Sequence, residues 1–570
     1  MSPHLSLRFR RPFAPAAVAL AGGLLAAGCA LPPATPGPDL SPVPMQDPGS
    51  PLTEGWQHGA FMEVFVRAYA DSDGDGIGDL RGLTSKLDHL QRLGVRGLWL
   101  MPVTANADGD HGYATTDFRA IAPEYGTLAD FDDLIRQAHA RGIGVIMDYV
   151  INHSAAAHPL FVAARQGPAS PFRDWFVWAD AAPAGWDIWG NNPWYHTASQ
   201  PWLHGGDPKT LARPAPGARD FYFATFGPQM PDFNFRHPAV MDYHASSLRF
   251  WLNRGLDGFR LDAVPHLIEN NATDWNDQPE SRALTAGIQR LVKAYSRRYT
   301  VCEATAQPLD YAQPGLCGAA FAFGLESALV QAAQGDAAAV AKVASYTAGA
   351  PASALANIGT FLANHDKFTG RRLMDQLRGD AAAYRLAAAT YLLLPGTPTI
   401  YYGEEIGQAG AAGLAEDPEI RGPMSWTADA TTGGFTTGRP FRALASNLAT
   451  HNVAAQEADP TSLLHHYRAL LALRNQHPAV ARGSFRQARA EGATLTFQRQ
   501  LGSDHLVMAY NYGRSPARLA LAGLPAGARL QPLLRTDAPA ALRADGSGNA
   551  PADLAAQSFA VWQVLPAGAP

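Results

Sequence analysis

The chain has 570 residues, of which 17% are charged and 47% hydrophobic, with a formal net charge of -5. This is the composition of a globular protein rather than a disordered one, and the basic residues form no concentrated stripe of the kind that marks a nucleic-acid partner. The length exceeds one ordinary core, so one large domain and one small one are expected.

In chain order, Arg8, Arg10 and Arg11 precede an apolar run from Ala16 to Ala27 that ends at Gly28-Cys29. This pattern predicts an export signal over residues 1–29. The run is shorter than the ~20 residues of a spanning helix. Ala26-Ala27-Gly28-Cys29 resembles a bacterial lipoprotein box, which implies a lipid on Cys29, a membrane-held protein and a periplasmic or cell-surface location; ordinary cleavage to a soluble exported product is the alternative. Residues 30–55 are rich in Pro, Gly and Ser and read as a flexible linker.

From Phe61 onward, short β-branched or aromatic runs alternate with amphipathic stretches, the pattern of a parallel α/β architecture. The first strand, Glu63 to Arg67, is followed by Asp71-Ser72-Asp73-Gly74-Asp75-Gly76-Ile77-Gly78-Asp79. Alternating carboxylates with glycines that permit a tight turn suit a hard cation with oxygen ligands. Gly97 to Pro102 reads as the second strand, and Asp110 and Tyr113 follow it. A helix is predicted from Asp130 to His139, with Phe131, Leu134, Ile135 and Ala138 on its buried face. The strand Ile143 to Met147 then delivers Asp148, Asn152 and His153.

The alternation lapses over residues 154–226, a long aromatic and Gly/Pro-rich insertion of the functional kind. Its Trp175, Trp178, Trp186, Trp189, Trp194, Tyr195 and Trp202 are candidates for stacking on sugar, of which one or two are expected to do so while the others fill a small core. Further strand ends carry Arg260 and Asp262, Cys302 and Glu303, and His365 and Asp366. Gly396 to Gly407 reads as the eighth strand with its turn and Ser462 to Gln476 as the last helix. Runs such as Ala493 to Phe497 and His505 to Tyr510 predict an antiparallel β-sandwich over residues 479–570. Cys302 and Cys317 either form a disulfide or remain two buried thiols.

Taken together, Asp148 to His153, Gly258 to Asp262, Cys302-Glu303 and Phe361 to Asp366 resemble the ordered signature segments of the α-amylase family of retaining glycoside hydrolases. The resemblance covers roughly residues 56 to 566. It implies a (β/α)8 barrel over residues 56–478, a domain B insertion and a C-terminal sandwich domain. It also implies Asp262 as nucleophile, Glu303 as general acid/base and Asp366 as transition-state stabiliser, with Tyr113, His153, Arg260 and His365 holding the sugar. A structural calcium would take Asp71, Asp73, Asp75 and Asp79 and the carbonyl of Ile77. A second calcium site of the family would use Asn152 and the carbonyl of His266, with its remaining aspartate unidentified.

Chemistry agrees with these assignments, because glycoside cleavage needs a proton donor at the leaving oxygen and negative charge beneath the anomeric carbon. Arg260 shares a strand face with Asp262, where its guanidinium keeps the carboxylate ionised. Met230 to Asn234 resembles the group intermediate between oligo-1,6-glucosidases and neopullulanases, which, with Ala263, implies attack on internal α-1,4 bonds of starch or maltooligosaccharides. Asp110 points the other way, since exo-acting relatives carry an aspartate three residues before the tyrosine. An exo-glucosidase, a sucrose- or trehalose-converting isomerase and, more remotely, a non-catalytic carbohydrate-binding subunit are the alternatives.

Overall fold

The computed structural model describes residues 39–198, 220–535 and 541–567. The export signal, Cys29 and Trp202 lie outside the described residues. Among the described residues no helix is long and apolar enough to cross a membrane.

Eight parallel strands form one sheet: β1 (Phe61–Val64), β2 (Gly97–Leu100), β3 (Gly144–Tyr149), β4 (Gly258–Leu261), β5 (Tyr299–Cys302), β6 (Ala320–Phe321), β7 (Ile358–Gly359) and β8 (Thr399–Tyr401). Each pairs with its sequence neighbour, and β8 pairs with β1. Thr397 N–H donates to Ile358 O at 2.8 Å and Thr399 N–H to Thr360 O at 2.8 Å, which closes the sheet into a barrel. The predicted fold class is the one observed.

Side chains alternate across each strand, so every second residue points inward. At the bottom of the barrel Phe61, Trp99, Ile146, Tyr299, Val301 and Phe321 pack with Trp56 and Phe361 in one buried cluster. Gly97 and Gly144 make room for it, because a Cβ on Gly97 would sit 2.3 Å from the Phe61 ring and one on Gly144 2.2 Å from Trp56. Two residues further up the same faces come Glu63 above Phe61, Asp148 above Ile146, and Glu303 above Val301. The barrel is therefore apolar at its base and ionisable at its rim.

The helix predicted from Asp130 runs Leu128–Ala140, with Thr127 and Asp130 forming a reciprocal capping box and Phe131, Leu134, Ile135 and Ala138 buried. Each N-terminal amide satisfied in this way removes an orphan donor. The last barrel helix spans Leu463–Gln476 and is capped by Ser462.

The insertion carries a small antiparallel sheet in which Phe221–Phe223 lies between Trp178–Ala179 and Trp194–His196. Most of its aromatics build that core. Trp178 stacks on Phe161 at 5.7 Å, with the Arg173 guanidinium on the ring, and Trp186 and Trp194 pack edge-on against Phe223.

C-terminal to the barrel, a six-stranded antiparallel sheet faces the two-stranded pair Ala517–Leu521 and Ala550–Leu554. Val507, Ala509, Ala560 and Trp562 pack toward that pair, while the alternate residues Met508, Tyr510, Phe559 and Val561 join the barrel core.

Two expectations are revised or resolved. Residues 41–52 do not hang free as a linker: Arg297 donates to Leu52 O at 2.6 Å, Arg298 to Gly49 O at 2.9 Å, and Asp47 accepts from the Ser296 hydroxyl at 2.6 Å. Arginines on the barrel take up the carbonyls of an extended, Pro-rich segment that has few partners of its own. Cys302 and Cys317 are joined as a disulfide, with Cα atoms 6.2 Å apart.

Candidate active site

At the C-terminal rim of the strands, Arg260 is the hub. It is buried, and its Nη1 donates to Asp148 Oδ1 at 2.8 Å and Asp262 Oδ1 at 2.5 Å, while Nη2 donates to Glu303 Oε2 at 2.8 Å. One guanidinium thus fixes three carboxylates from β3, β4 and the end of β5 by charge-assisted hydrogen bonds. Glu303 Oε2 also accepts from the Ala263 N–H at 3.0 Å. Ala263 holds φ 49°, a left-handed turn directly after Asp262 that brings its amide toward the glutamate.

Tyr113, His365 and Glu63 form a second chain of contacts. The Tyr113 hydroxyl donates to Asp148 Oδ2 at 2.9 Å and lies 2.7 Å from His365 Nε2. Glu63 Oε1 sits 2.6 Å from His365 Nδ1 and also accepts from the His365 N–H at 3.2 Å. Burial, followed by the charge of Asp366, pushes Glu63 well above the usual carboxylate range. Burial likewise drives His365 down, so the ring is neutral. His365 Nε2 also stands 3.2 Å from Asp366 Oδ2, and the tyrosine and histidine rings stack at 5.4 Å.

His153 lies 3.1 Å by Nε2 from Tyr113 O. Donation there leaves its buried Nδ1 without a partner, an acceptor for a ligand hydroxyl. Burial lowers His153 to about 3, so it too is neutral.

Burial raises the carboxylates at the rim. Asp262 goes well above its ordinary range, with Arg260 pulling back and Glu303 pushing up. Asp148 reaches about 6 by burial against Arg260, and Asp366 about 7 by burial and the charge of Glu303. One guanidinium cannot neutralise this cluster, so protons are retained near neutral pH.

A cavity of about 640 Å³ opens over these groups. Tyr113, His153, Asp262, Glu303 and Asp366 line it, with Trp189 and Phe226 from the insertion. Trp189 is 61% exposed and is held edge-on to Trp275 at 5.8 Å. It is the one tryptophan of the predicted set that lines the cavity, among the described residues.

Sequence reasoning missed the loop after β8. Arg421, lining the same cavity, donates to His365 O at 2.8 Å and pairs with Asp366 at 3.2 Å and Asp417 at 3.0 Å. Arg442 donates to Arg421 O at 3.1 Å and pairs with Asp110 Oδ1 at 2.8 Å. Asp110 is thereby linked, through two arginines, to the rim carboxylate Asp366. The only available signal was Asp110 itself.

The acidic loop after β1 gathers oxygens of Asp71, Asp73 and Asp79 within 4.8 Å of one another, a donor set that fits a hard cation. The Asp75 carboxylate lies outside that group and accepts from the Ile77 N–H at 2.7 Å. Thr436 and the turn at Gly438 pack on this loop, the Thr436 hydroxyl donating to Asp71 at 2.5 Å. In the second region, Asn152 is buried with its side chain interacting with the Asp232 carboxylate. Asp232 is buried, accepting from the Thr225 hydroxyl at 2.7 Å.

Residues 63–483 match the family described as "Alpha amylase, catalytic domain". The trehalose synthase/amylase TreS of Mycobacterium tuberculosis is 34% identical over 501 residues, 80% of this chain and 81% of that protein. Alpha-amylase 3 of Dictyoglomus thermophilum is 32% identical, over 81% of this chain and 86% of its own. Among solved structures, the trehalulose synthase MutB of Pseudomonas mesoacidophila MX-45 superposes with a TM-score of 0.74 at 25% identity, covering 90% of this chain and all of that one. With the barrel, its rim chemistry and this match in hand, the chain belongs to the α-amylase family and is an enzyme of that family.

Proposed function

We propose that the protein transfers the glucosyl unit of a short α-glucoside, isomerising maltose to trehalose, with hydrolysis as the competing outcome. Cleavage of internal bonds in starch is the weaker reading. The observation that carries this is Arg421, which lines a cavity of about 640 Å³ beside Asp366 and is backed by the Asp110–Arg442 pair through its carbonyl, an arrangement that would close the glucose-binding end. Single small-molecule sites span roughly 300–1,000 Å³, whereas a polymer needs an open groove at both ends. The resemblance to TreS and MutB favours the same side.

In the proposed mechanism Asp262 attacks the anomeric carbon as Glu303 protonates the leaving oxygen, giving a covalent glucosyl-enzyme and a free glucose. Glu303 then deprotonates the acceptor, and the Asp262–glucosyl bond breaks with retention of configuration. If the released glucose turns in place and presents its anomeric hydroxyl, the product is the α,α-1,1 isomer. If water enters, the product is glucose. Arg260 aims the Asp262 carboxylate and its charge offsets part of the burial that raises it, while Asp366, His365 and His153 bind ring hydroxyls and the Tyr113 ring offers an apolar face to the sugar.

Measuring kcat/KM from maltose to maltoheptaose tests the reading. It requires the value to fall with chain length, and a steady rise would overturn it.

A calcium held by Asp71, Asp73 and Asp79 would serve structure only, supplying positive charge to a loop on which the 436–442 segment rests. Chelation should then lower Tm by roughly 3–6 °C, and an unchanged melting curve would remove the metal from the account. Lipidation of Cys29 and export rest on the N-terminal sequence. Mass spectrometry of the mature N-terminus tests both, since a diacylglyceryl cysteine is expected and an unmodified or uncleaved terminus would count against them.

A further inference from the structure

A second cavity, of about 340 Å³, lies at the other end of the barrel, where the chain enters the strands. Arg92, Arg96, Arg141 and Arg468 line it, and no carboxylate does. We infer that this cavity binds a phosphoryl-bearing anion.

The four arginines come from four separate elements. Arg92 is in the last turn of the helix Leu87–Leu93, and Arg141 caps the helix Leu128–Ala140. Cations are favoured at helix C-termini, so these two have an ordinary explanation. Arg96 and Arg468 do not share it, for Arg96 immediately precedes β2 and Arg468 sits in the middle of Leu463–Gln476.

Acidic neighbours account for only part of the charge. Asp88 pairs with Arg141 at 2.6 Å and Glu457 with Arg468 at 2.6 Å, and Arg92 lies in the field of both. Arg92 and Arg96 make no side-chain hydrogen bond or ion pair among the described residues. Arg468 Nε and Nη2 are buried without an acceptor. Four guanidinium groups converging on one concavity, with two carboxylates between them, leave an uncompensated positive field. Their planar forks match phosphate oxygens bidentately.

The frame beneath them is rigid. Arg96 N–H donates to Ala60 O at 2.8 Å, and its carbonyl accepts from Gly144 N–H at 2.9 Å, which ties its main chain to β1 and β3. Asn475 Nδ2 donates to Gly94 O at 2.8 Å, fixing the turn between Arg92 and Arg96. At Gly94, φ is 100°, a conformation that glycine adopts without strain.

The test compares the full chain with the double variant Arg92→Ala/Arg96→Ala, two exposed positions outside the catalytic cavity. Binding of inorganic phosphate by calorimetry, and of phosphatidylglycerol and phosphatidylcholine vesicles by flotation, is measured at about 0.15 M ionic strength. Maltose turnover serves as a check that both proteins are folded. The inference expects phosphate binding by the parent, weakened at least tenfold in the variant, with turnover unchanged. Flotation with phosphatidylglycerol alone, displaced by phosphate and lost in the variant, supports the site and names a lipid headgroup as its source. Phosphate binding without flotation supports it and names a soluble phosphoryl compound. Absence of both in the parent, or equal binding by parent and variant, overturns it. Should the double variant misfold, Arg468→Lys replaces it, and equal phosphate affinity there overturns the inference too.

Discussion

Asp110 and Arg442, 332 residues apart in sequence, meet at 2.8 Å beside the catalytic cavity. If this pair grips the terminal sugar, Asp110→Ala and Arg442→Ala should each lower kcat/KM for maltose by about ten- to a hundredfold, ~1.4–2.7 kcal/mol of transition-state binding. Activity on long chains should change less. Steady-state kinetics on maltose and maltoheptaose reads both effects, and equal losses on the two substrates would deprive the pair of its role in length selection.

Asp262 and Glu303 are expected to separate by leaving group. Asp262→Asn should cost at least ~10³-fold on every substrate, because the covalent step is lost. Glu303→Gln should cost as much on maltose but far less in the first step on an aryl glucoside whose leaving group needs no proton. A burst of aryl alcohol from the glutamine variant checks this, and its absence would reassign the acid.

Asp366 binds its proton more tightly in the folded protein, where its pKa is about 7, than in the unfolded chain at about 3.9. Between those values the folded state holds more protons, so stability falls as pH rises through the window. Asp366→Asn removes that penalty. The variant should be more stable than the parent at pH 8 by roughly 1–2 kcal/mol, discounted for a side chain a quarter exposed, and show no such gain near pH 4. Denaturant unfolding at the two pH values measures it.

Trp189 lines the cavity from the insertion and is 61% exposed, placed to slow the entry of water and the loss of the acceptor. Trp189→Ala should leave total maltose consumption within about fivefold while raising the share of glucose over isomer. Chromatography of the products gives the ratio, and an unchanged ratio would show that the tryptophan plays no part in retaining the acceptor.

The rim was legible in the sequence because four ordered segments resemble those of the α-amylase family, and strand periodicity agrees with them in putting Arg260 and Asp262 on one face and in ending short apolar runs near Asp148, Glu303 and Asp366. Burial of Phe131, Leu134, Ile135 and Ala138 followed from helical spacing. Arg421 and Arg442 were not legible. They sit at the end of and beyond one short helical turn with no period to read, and the partners that tie them to the rim, Asp366 for Arg421 and Asp110 for Arg442, lie far away in the chain. Residues 41–52 escaped for a related reason, since a Pro-rich segment that packs through its carbonyls looks, in composition, like one that does not pack at all. The Cys302–Cys317 pairing was left open by sequence because it depends on a distance.

The most direct measurement is the proton NMR spectrum of the products formed from maltose, followed in time beside the viscosity of a soluble starch solution given the same enzyme. The account predicts an α,α-1,1 anomeric signal growing with free glucose while starch viscosity holds. Rapid thinning of starch, with maltose untouched, would contradict it and restore the endo-acting reading.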